Sequence, residues 1–363
     1  MKNIISIVTA ALLSGAAMAQ STSSNMPQYG SGYLVLPGSI SEFALAGGAT
    51  RLGLNTKVFS LNTSDETGQA SVFTIPKMTG DHGPESSYTR ANLSYRINET
   101  TRFTGNLGYY SAGNVELRDE DGNELGVFTP YETDVRIGVV KTLSEGFNLG
   151  VRLGYLSTNL GSSFSTAQIK ESALLVDFSL DYIIKSSDKS EVVAFWSLNN
   201  VGKKDNFTAD NLNYVPAQMS LGILIDYELN EDMRLIPQVS FQKMLVPTPP
   251  VYNSDGSIFS GQPQNTNILG SLFTSFNDAP NGMNEEIKEW CPILASEVVF
   301  KEAFRLSLGA SLESTDKGNR QFVSAGLGYQ SNKISMMVAY LIPVSVEAGF
   351  YKNRYGIGLS YNI

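Results

Sequence analysis

His82 is the sole histidine of the 363-residue chain and Cys291 the sole cysteine. Acid–base, nucleophilic or metal-assisted chemistry needs several such side chains converging on one point. His82 stands in His82-Gly83-Pro84 beside Asp81 and reads as a solvated loop residue, without a Ser or Cys partner of tuned geometry. Cys291 follows Trp290 at the head of a predicted strand, where a cysteine serves as a small packing residue. Alone, it can form no intramolecular disulfide. Two acidic groups remain. Asp119, Glu120 and Asp121 lie in Arg118–Gly126, whose Asp121-Gly122 pair signals a hairpin and whose ligand spacing is not that of an EF-hand. Adjacent Glu285 and Glu286 define no common face for paired acid–base work. Phosphate-cradling glycine signatures are absent. The expectation is a protein that is not an enzyme, with no catalytic residue, no metal ligand and no cofactor. A net charge of −9 also speaks against nucleic acid as a partner.

Function must then come from shape and surface. In the closing stretch Arg354–Ile363, Tyr355, Ile357, Leu359, Tyr361 and Ile363 alternate with Gly356, Gly358, Ser360 and Asn362. A strand points successive side chains to opposite faces, so one face is apolar and aromatic and the other small and polar. Lipid outside and a polar lumen inside demand that pattern. The same period recurs in Ser87–Ile97, Thr101–Tyr110, Thr133–Thr142, Phe147–Tyr155, Ala173–Ile184, Glu191–Leu198, Gln218–Tyr227, Arg234–Met244, Ile293–Phe300, Phe304–Leu312, Gln321–Tyr329 and Ile334–Leu341. With the closing strand and two weaker runs before residue 80, this predicts an all-β chain: a transmembrane antiparallel β-barrel of about 14 strands. Ser144-Glu145-Gly146, Glu228 to Asp232 and Ser331-Asn332-Lys333 read as its tight periplasmic turns.

The start of the chain agrees. Lys2 precedes an apolar run from Ile4 through Ala17 and the small-x-small site Ala17-Met18-Ala19, which predicts a signal peptide over 1–19, cleaved after Ala19. No cysteine follows the cut to carry a lipid anchor, and no later run of eighteen apolar residues offers a helical span. The expected location is the outer membrane of a Gram-negative cell, in contact with its lipid.

Two segments break the alternation. Within 20–53, the stretch Ser31–Gly53 holds Gly47-Gly48 in a run of small residues, which suits a hatch or plug folded into the barrel mouth. Phe43, Leu45, Gly47 and Gly48 are its candidate hatch residues, and 54–363 is assigned to the barrel. The long loop 245–289 opens with Pro247, Pro249 and Pro250, which cannot donate to a ladder and so end the strand before them. Beyond them Ile268, Leu269, Leu272, Phe273 and Phe276 share a helical face. A loop of this length is a lid, a partner surface or disordered.

Several stretches are similar to the PorV family, the outer-membrane shuttle proteins of type IX secretion in the PorV/PorQ branch of FadL-like barrels. They are Lys243-Met-Leu-Val-Pro-Thr-Pro-Pro250, Phe273-Thr-Ser-Phe-Asn-Asp-Ala-Pro280 with Met283-Asn-Glu-Glu-Ile287, Lys317-Gly-Asn-Arg-Gln-Phe322 and Ala339-Tyr-Leu-Ile-Pro343. Weaker likeness covers Phe103 to Gly113, Asp119 to Gly126 and Leu198-Asn-Asn-Val-Gly202. Ser41–Thr50 looks like the family's small-residue stretch, without the Trp-Asn-Pro-Ala element that follows it there. The resemblance implies a FadL-like barrel that binds the C-terminal signal domain of cargo at the translocon pore protein and delivers it to an attachment complex containing a sortase. Such a task needs apolar anchors, and the candidates are Leu245, Val246, Pro247, Pro249, Leu272, Phe273 and Phe276. A FadL-like transporter of hydrophobic small molecules is the alternative, and a general porin a third.

Overall fold

The computed structural model describes residues 27–62, 66–78, 85–118, 121–162, 168–204, 214–264, 267–345 and 354–363. The predicted signal peptide, His82, Asp119 and Glu120 lie outside the described residues. The strands are β1 (Gly68–Ile75), β2 (Ser87–Asn98), β3 (Thr101–Ser111), β4 (Val115–Arg118), β5 (Glu124–Phe128), β6 (Tyr131–Ser144), β7 (Phe147–Ser162), β8 (Gln168–Ser187) and β9 (Ser190–Lys204). They continue with β10 (Gln218–Asn230), β11 (Met233–Met244), β12 (Val251–Tyr252), β13 (Ile258–Ser260), β14 (Cys291–Phe300), β15 (Phe304–Ser311), β16 (Phe322–Gln330), β17 (Ile334–Pro343) and β18 (Arg354–Asn362). Fourteen of them form a closed antiparallel barrel, while β4–β5 and β12–β13 are separate hairpins on its loops. Closure is made by β1 against β18, with Val72 opposite Leu359, so no backbone edge is left for lipid to meet.

Two-residue turns such as Glu145-Gly146 and Asp188-Lys189 gather on one rim, together with the ends of the sheet at Gly68 and Asn362. The three predicted tight turns fall on this rim. Every longer connection leaves from the opposite rim, including the one between β11 and β14. The outer face carries the apolar set: Tyr355, Ile357, Leu359 and Tyr361 are exposed on β18, while Arg354, Gly356 and Gly358 between them are buried. Of the two weak runs expected before residue 80, only β1 is a strand. The other part of that stretch lies in the lumen.

That lumen is filled by residues 27–62. The segment descends from the loop rim, where Gly30 donates to the Tyr214 carbonyl at 3.0 Å, to the short-turn rim, where Arg51 pairs with Glu191 at 2.7 Å. It then runs back past Phe59 and Ser60 before entering β1. The lumenal segment therefore continues past Gly53 to Asn62, held by Ser60 N donating to Ser179 Oγ at 3.1 Å. Phe43 and Leu45 are fully buried against the wall. The wall makes room with glycine: a Cβ at Gly309 would stand 2.4 Å from the Leu45 carbonyl carbon, and one at Gly358 2.3 Å from Ile40.

One wall of the lumen is ionic. Arg90 and Arg136 both bind Asp134, Arg136 also binds Asp177 through two contacts of 2.9 and 2.7 Å, and Arg152 reaches Asp177 at 3.0 Å. A charge removed from water is tolerable only when paired and hydrogen-bonded, which this network achieves. It also shapes the sheet. Between β8 and β9 the register steps from Val176–Val201 to Phe178–Leu198, so Asp177 faces two residues. Asn200, with φ at 62°, donates its N–H to Asp177 at 2.7 Å across that bulge. Removing the carboxylate, as in Asp177→Ala, leaves Arg152 without an acidic partner in a dry interior and Arg136 with Asp134 alone, at a cost of about 3–5 kcal/mol. The expected outcome is a marked fall in the temperature at which the barrel loses its compact form on unheated gels, with Asp177→Asn milder; equal midpoints for wild type and Ala variant would refute the role.

Candidate functional site

Two regions gather polar chemistry and exposed apolar surface: the hatch in the lumen and the long loop on the outer rim. The hatch turns on Glu42. Helix α1 (Ile40–Ala44) starts at Ser39, whose Oγ accepts from Glu42 N at 3.2 Å. The Glu42 carboxylate accepts from Gly38 N at 2.9 Å, Thr56 N at 2.6 Å, Thr56 Oγ1 at 2.6 Å and Lys57 N at 3.0 Å. One buried carboxylate thus ties the two arms of the hatch together. Gly47 takes φ +94°, and the next stretch is clamped from β11: Ala49 N donates to Gln238 Oε1 at 3.0 Å, Gln238 Nε2 donates to Ala49 O at 2.6 Å, and Gln242 Nε2 donates to Gly47 O at 2.9 Å. Arg152 fixes the returning arm by donating to Thr56 O at 2.5 Å and lying 3.9 Å over the Phe59 ring. The cavity between α1 and β18 measures about 20 Å³, and the one beside Lys57 and Gln242 about 10 Å³. Each is room for about one water, far from a conduit.

The outer loop has a locked base and an apolar crest. Its base is built where Lys243, at the end of β11, binds Glu286 at 3.2 Å and also Glu289. Glu289 accepts from Thr248 Oγ1 at 2.8 Å and from Lys317 at 2.9 Å, and Asp278 accepts from Thr248 N at 3.1 Å. Glu286 further accepts from Ala279 N at 2.8 Å. The adjacent pair Glu285 and Glu286 on helix α3 (Met283–Lys288) part company, Glu285 binding Lys317 and Glu286 binding Lys243. Carboxylate oxygens of Asp278, Glu286 and Glu289 lie within 4.8 Å of one another, the set that could hold a cation among the described residues. Burial pushes Asp278 up to about 7, helped by the charges of Glu289 and Glu286.

The predicted anchors divide between base and crest. Leu245, Val246, Pro247 and Leu272 are buried, and Pro249 is half-buried. Leu245 packs against Leu272 and Ala217, and Val246 against Tyr214. They brace the loop and offer no surface to a partner in this arrangement. Helix α2 (Ile268–Thr274), capped by Asn267, buries Ser271 and Leu272 and turns Leu269 and Phe273 outward. The helical face expected to run through Ile268, Leu269, Leu272, Phe273 and Phe276 is therefore split, because the loop rests on Leu272 alone. Phe273 is 76% exposed, Phe259 on β13 72%, Leu269 63% and Ile287 63%, with Phe276 at 38%. Isolated exposed apolar residues are ordinary, but these stand together on one structured loop whose base is locked.

Glu42, Asp278, Lys243 and Glu289 escaped the sequence reading. Glu42 had a signal, the spacing Ser39-x-x-Glu42 of a capping box. The others had none beyond lying in or beside the stretches that carry the family likeness.

Residues 88–251 match the family described as type IX secretion system protein PorV. Over those residues the chain is similar to PorV-type barrels. No curated protein matches the chain in sequence. Among solved structures it is similar to the Pseudomonas putida toluene transporter TodX, at 11% identity and TM-score 0.49, over 91% of this chain and 99% of that one. A Pseudomonas aeruginosa FadL homologue is similar at 10% identity and TM-score 0.41, over 90% of this chain and 97% of that one.

The loop base of this barrel carries a pH signature. Asp278 is protonated in both folded and unfolded chains below about pH 4, and between about 4 and 7 only the unfolded chain releases its proton, so the base loosens as pH rises through that window. In chelator-treated protein, hydrogen exchange at the Thr248 amide should accelerate from pH 5.5 to 8 by more than the intrinsic change. Asp278→Asn should abolish the excess; an excess retained in the variant would contradict the assignment.

Proposed function

We propose that this barrel binds the C-terminal signal domain of secreted cargo at the type IX translocon pore protein and shuttles it to the surface attachment complex that contains the sortase. The observation that carries the reading is the apolar crest of the outer loop, with Phe273, Phe259 and Leu269 exposed on a base locked by Lys243 and Lys317. An apolar anchor contributes to binding only as far as its support is already ordered, because ordering it on contact opposes association. Here the ordering is done within the fold. The candidate contact residues are Phe273 and Phe276 with Phe259 and Leu269, while Leu245, Val246, Pro247, Pro249 and Leu272 are candidate supports.

The task asks for no bond chemistry, and the reading is of a non-enzymatic carrier exported through a signal peptide cut after Ala19. Phe43, Leu45, Gly47 and Gly48 act in it as the hatch that keeps the barrel sealed while cargo stays outside. Transport of hydrophobic small molecules is the weaker alternative, since the hatch is pinned to the wall at Gln238, Gln242, Arg152 and Arg305, the last donating to Leu52 O at 2.6 Å.

A Phe273→Asp, Phe259→Asp double variant should retain its barrel while losing cargo. We expect at least a tenfold drop in signal domain recovered with the barrel from native membranes in mild detergent, as loss of about 2 kcal/mol at a central anchor implies. Normal recovery and normal surface display of cargo would sink the proposal. Tight binding of fatty acid or monoaromatic compounds by the same purified protein would favour the alternative.

A further inference from the structure

The acidic group at the base of the outer loop is not used by the docking reading, and it is not electrically complete. Asp278, Glu285, Glu286 and Glu289 face two ammonium groups, Lys243 and Lys317, so the carboxyl groups outnumber the cations by two. Lys288 is engaged elsewhere, with Asp316. Asp278 is 2% exposed, and its Oδ1 is buried without a hydrogen-bond partner, while Oδ2 takes the Thr248 amide. A buried carboxyl oxygen left bare is costly, and a native fold ordinarily satisfies it.

We propose that Asp278, Glu286 and Glu289 bind one divalent cation, calcium in preference to magnesium, at the root of the outer loop. All three offer oxygen, the donor that hard cations take. Their oxygens lie within 4.8 Å of one another. Calcium accepts an irregular set of oxygen ligands, whereas magnesium demands a near-ideal octahedron and gives up its waters reluctantly, so three carboxylates on one short helix, the residue after it and the segment before it favour calcium. The ammonium of Lys243 now sits on Glu286 and Glu289 and lies 5.8 Å from the Phe276 ring. A cation would compete with it for the two glutamates, so Lys243 sets the affinity from below. The ion would join α3 and the residue after it to the segment before the helix. This inference rests on the loop base alone and stands or falls apart from the cargo reading.

The test is calorimetric titration of the full-length, chelator-treated protein in detergent with calcium chloride and, separately, magnesium chloride. We expect one saturable calcium site with Kd on the order of 10⁻⁴–10⁻³ M, as in extracellular calcium modules, and weaker magnesium binding. Asp278→Asn should weaken calcium at least tenfold, and Lys243→Met, which removes the competitor, should tighten it. No saturable calcium signal in the wild type, or an isotherm unchanged by Asp278→Asn, would overturn the site. Should Asp278→Asn fail to fold, Lys243→Met decides alone: unchanged or weakened calcium affinity counts against the proposal.

Discussion

A strand in hydrocarbon has no water to satisfy its N–H and C=O groups, so each must find a neighbouring strand, and the last must find the first. The pairing of β1 with β18 is where this chain meets that demand, and the rest of the architecture follows from it. Closure divides every strand into a lipid face and a lumen face. The lipid face is dictated by solvent, which is why Ile357 and Leu359 are greasy. The lumen face is free to be polar, and a closed barrel of this size leaves a space that must be filled or flooded.

The chain fills it, and the manner of filling explains residues that would be odd in any other protein. Buried arginines on neighbouring strands are a liability in an apolar interior, yet here Arg136 and Arg152 share Asp177, and Arg152 also donates to Asn106 and to the hatch carbonyl of Thr56. Breaking one partner exposes the others, so the wall and the plug are coupled through the same charges. Glu42 does the corresponding work inside the plug. It has no cation bonded to it; four N–H and O–H donors surround its carboxylate instead, as they would an anion in a nest of amides.

How much of this could be read from residues alone depends on the period of the signal. Alternation along β7 or β18 repeats every second residue and is imposed by lipid, so strands, turns and their count emerge directly. The hatch has no such period. Its path is fixed by single contacts between residues far apart in the chain, such as Gln238 with Ala49 and Thr50 with Glu297, and no local pattern announces them. Hence the sequence marks the small-residue stretch around Phe43 and Leu45 but carries no sign of the returning arm at Phe59 and Ser60. The long loop failed in a different way. Its apolar residues were visible, but which of them face the protein depends on where the helix lands, and only the contact of Leu272 with Leu245 decides that.

The hatch and the outer loop are not independent. Tyr214 pairs with Tyr29 at the mouth of the barrel, accepts the Gly30 amide through its carbonyl, and packs its side chain on Val246 at the loop base. Burial raises the Tyr214 phenol to about 12, with the nearby Asp278 carboxylate adding to the effect. One aromatic side chain therefore touches the start of the plug, the proline-stiffened foot of the loop and the field of its acidic cluster. A partner that shifts the loop must either carry Val246 with it or open this contact, and opening it releases the end of the hatch that is nearest the outside. The lumenal segment and the long loop thus meet at one packed junction, with Pro247 and Pro249 stiffening the foot of the loop beside it.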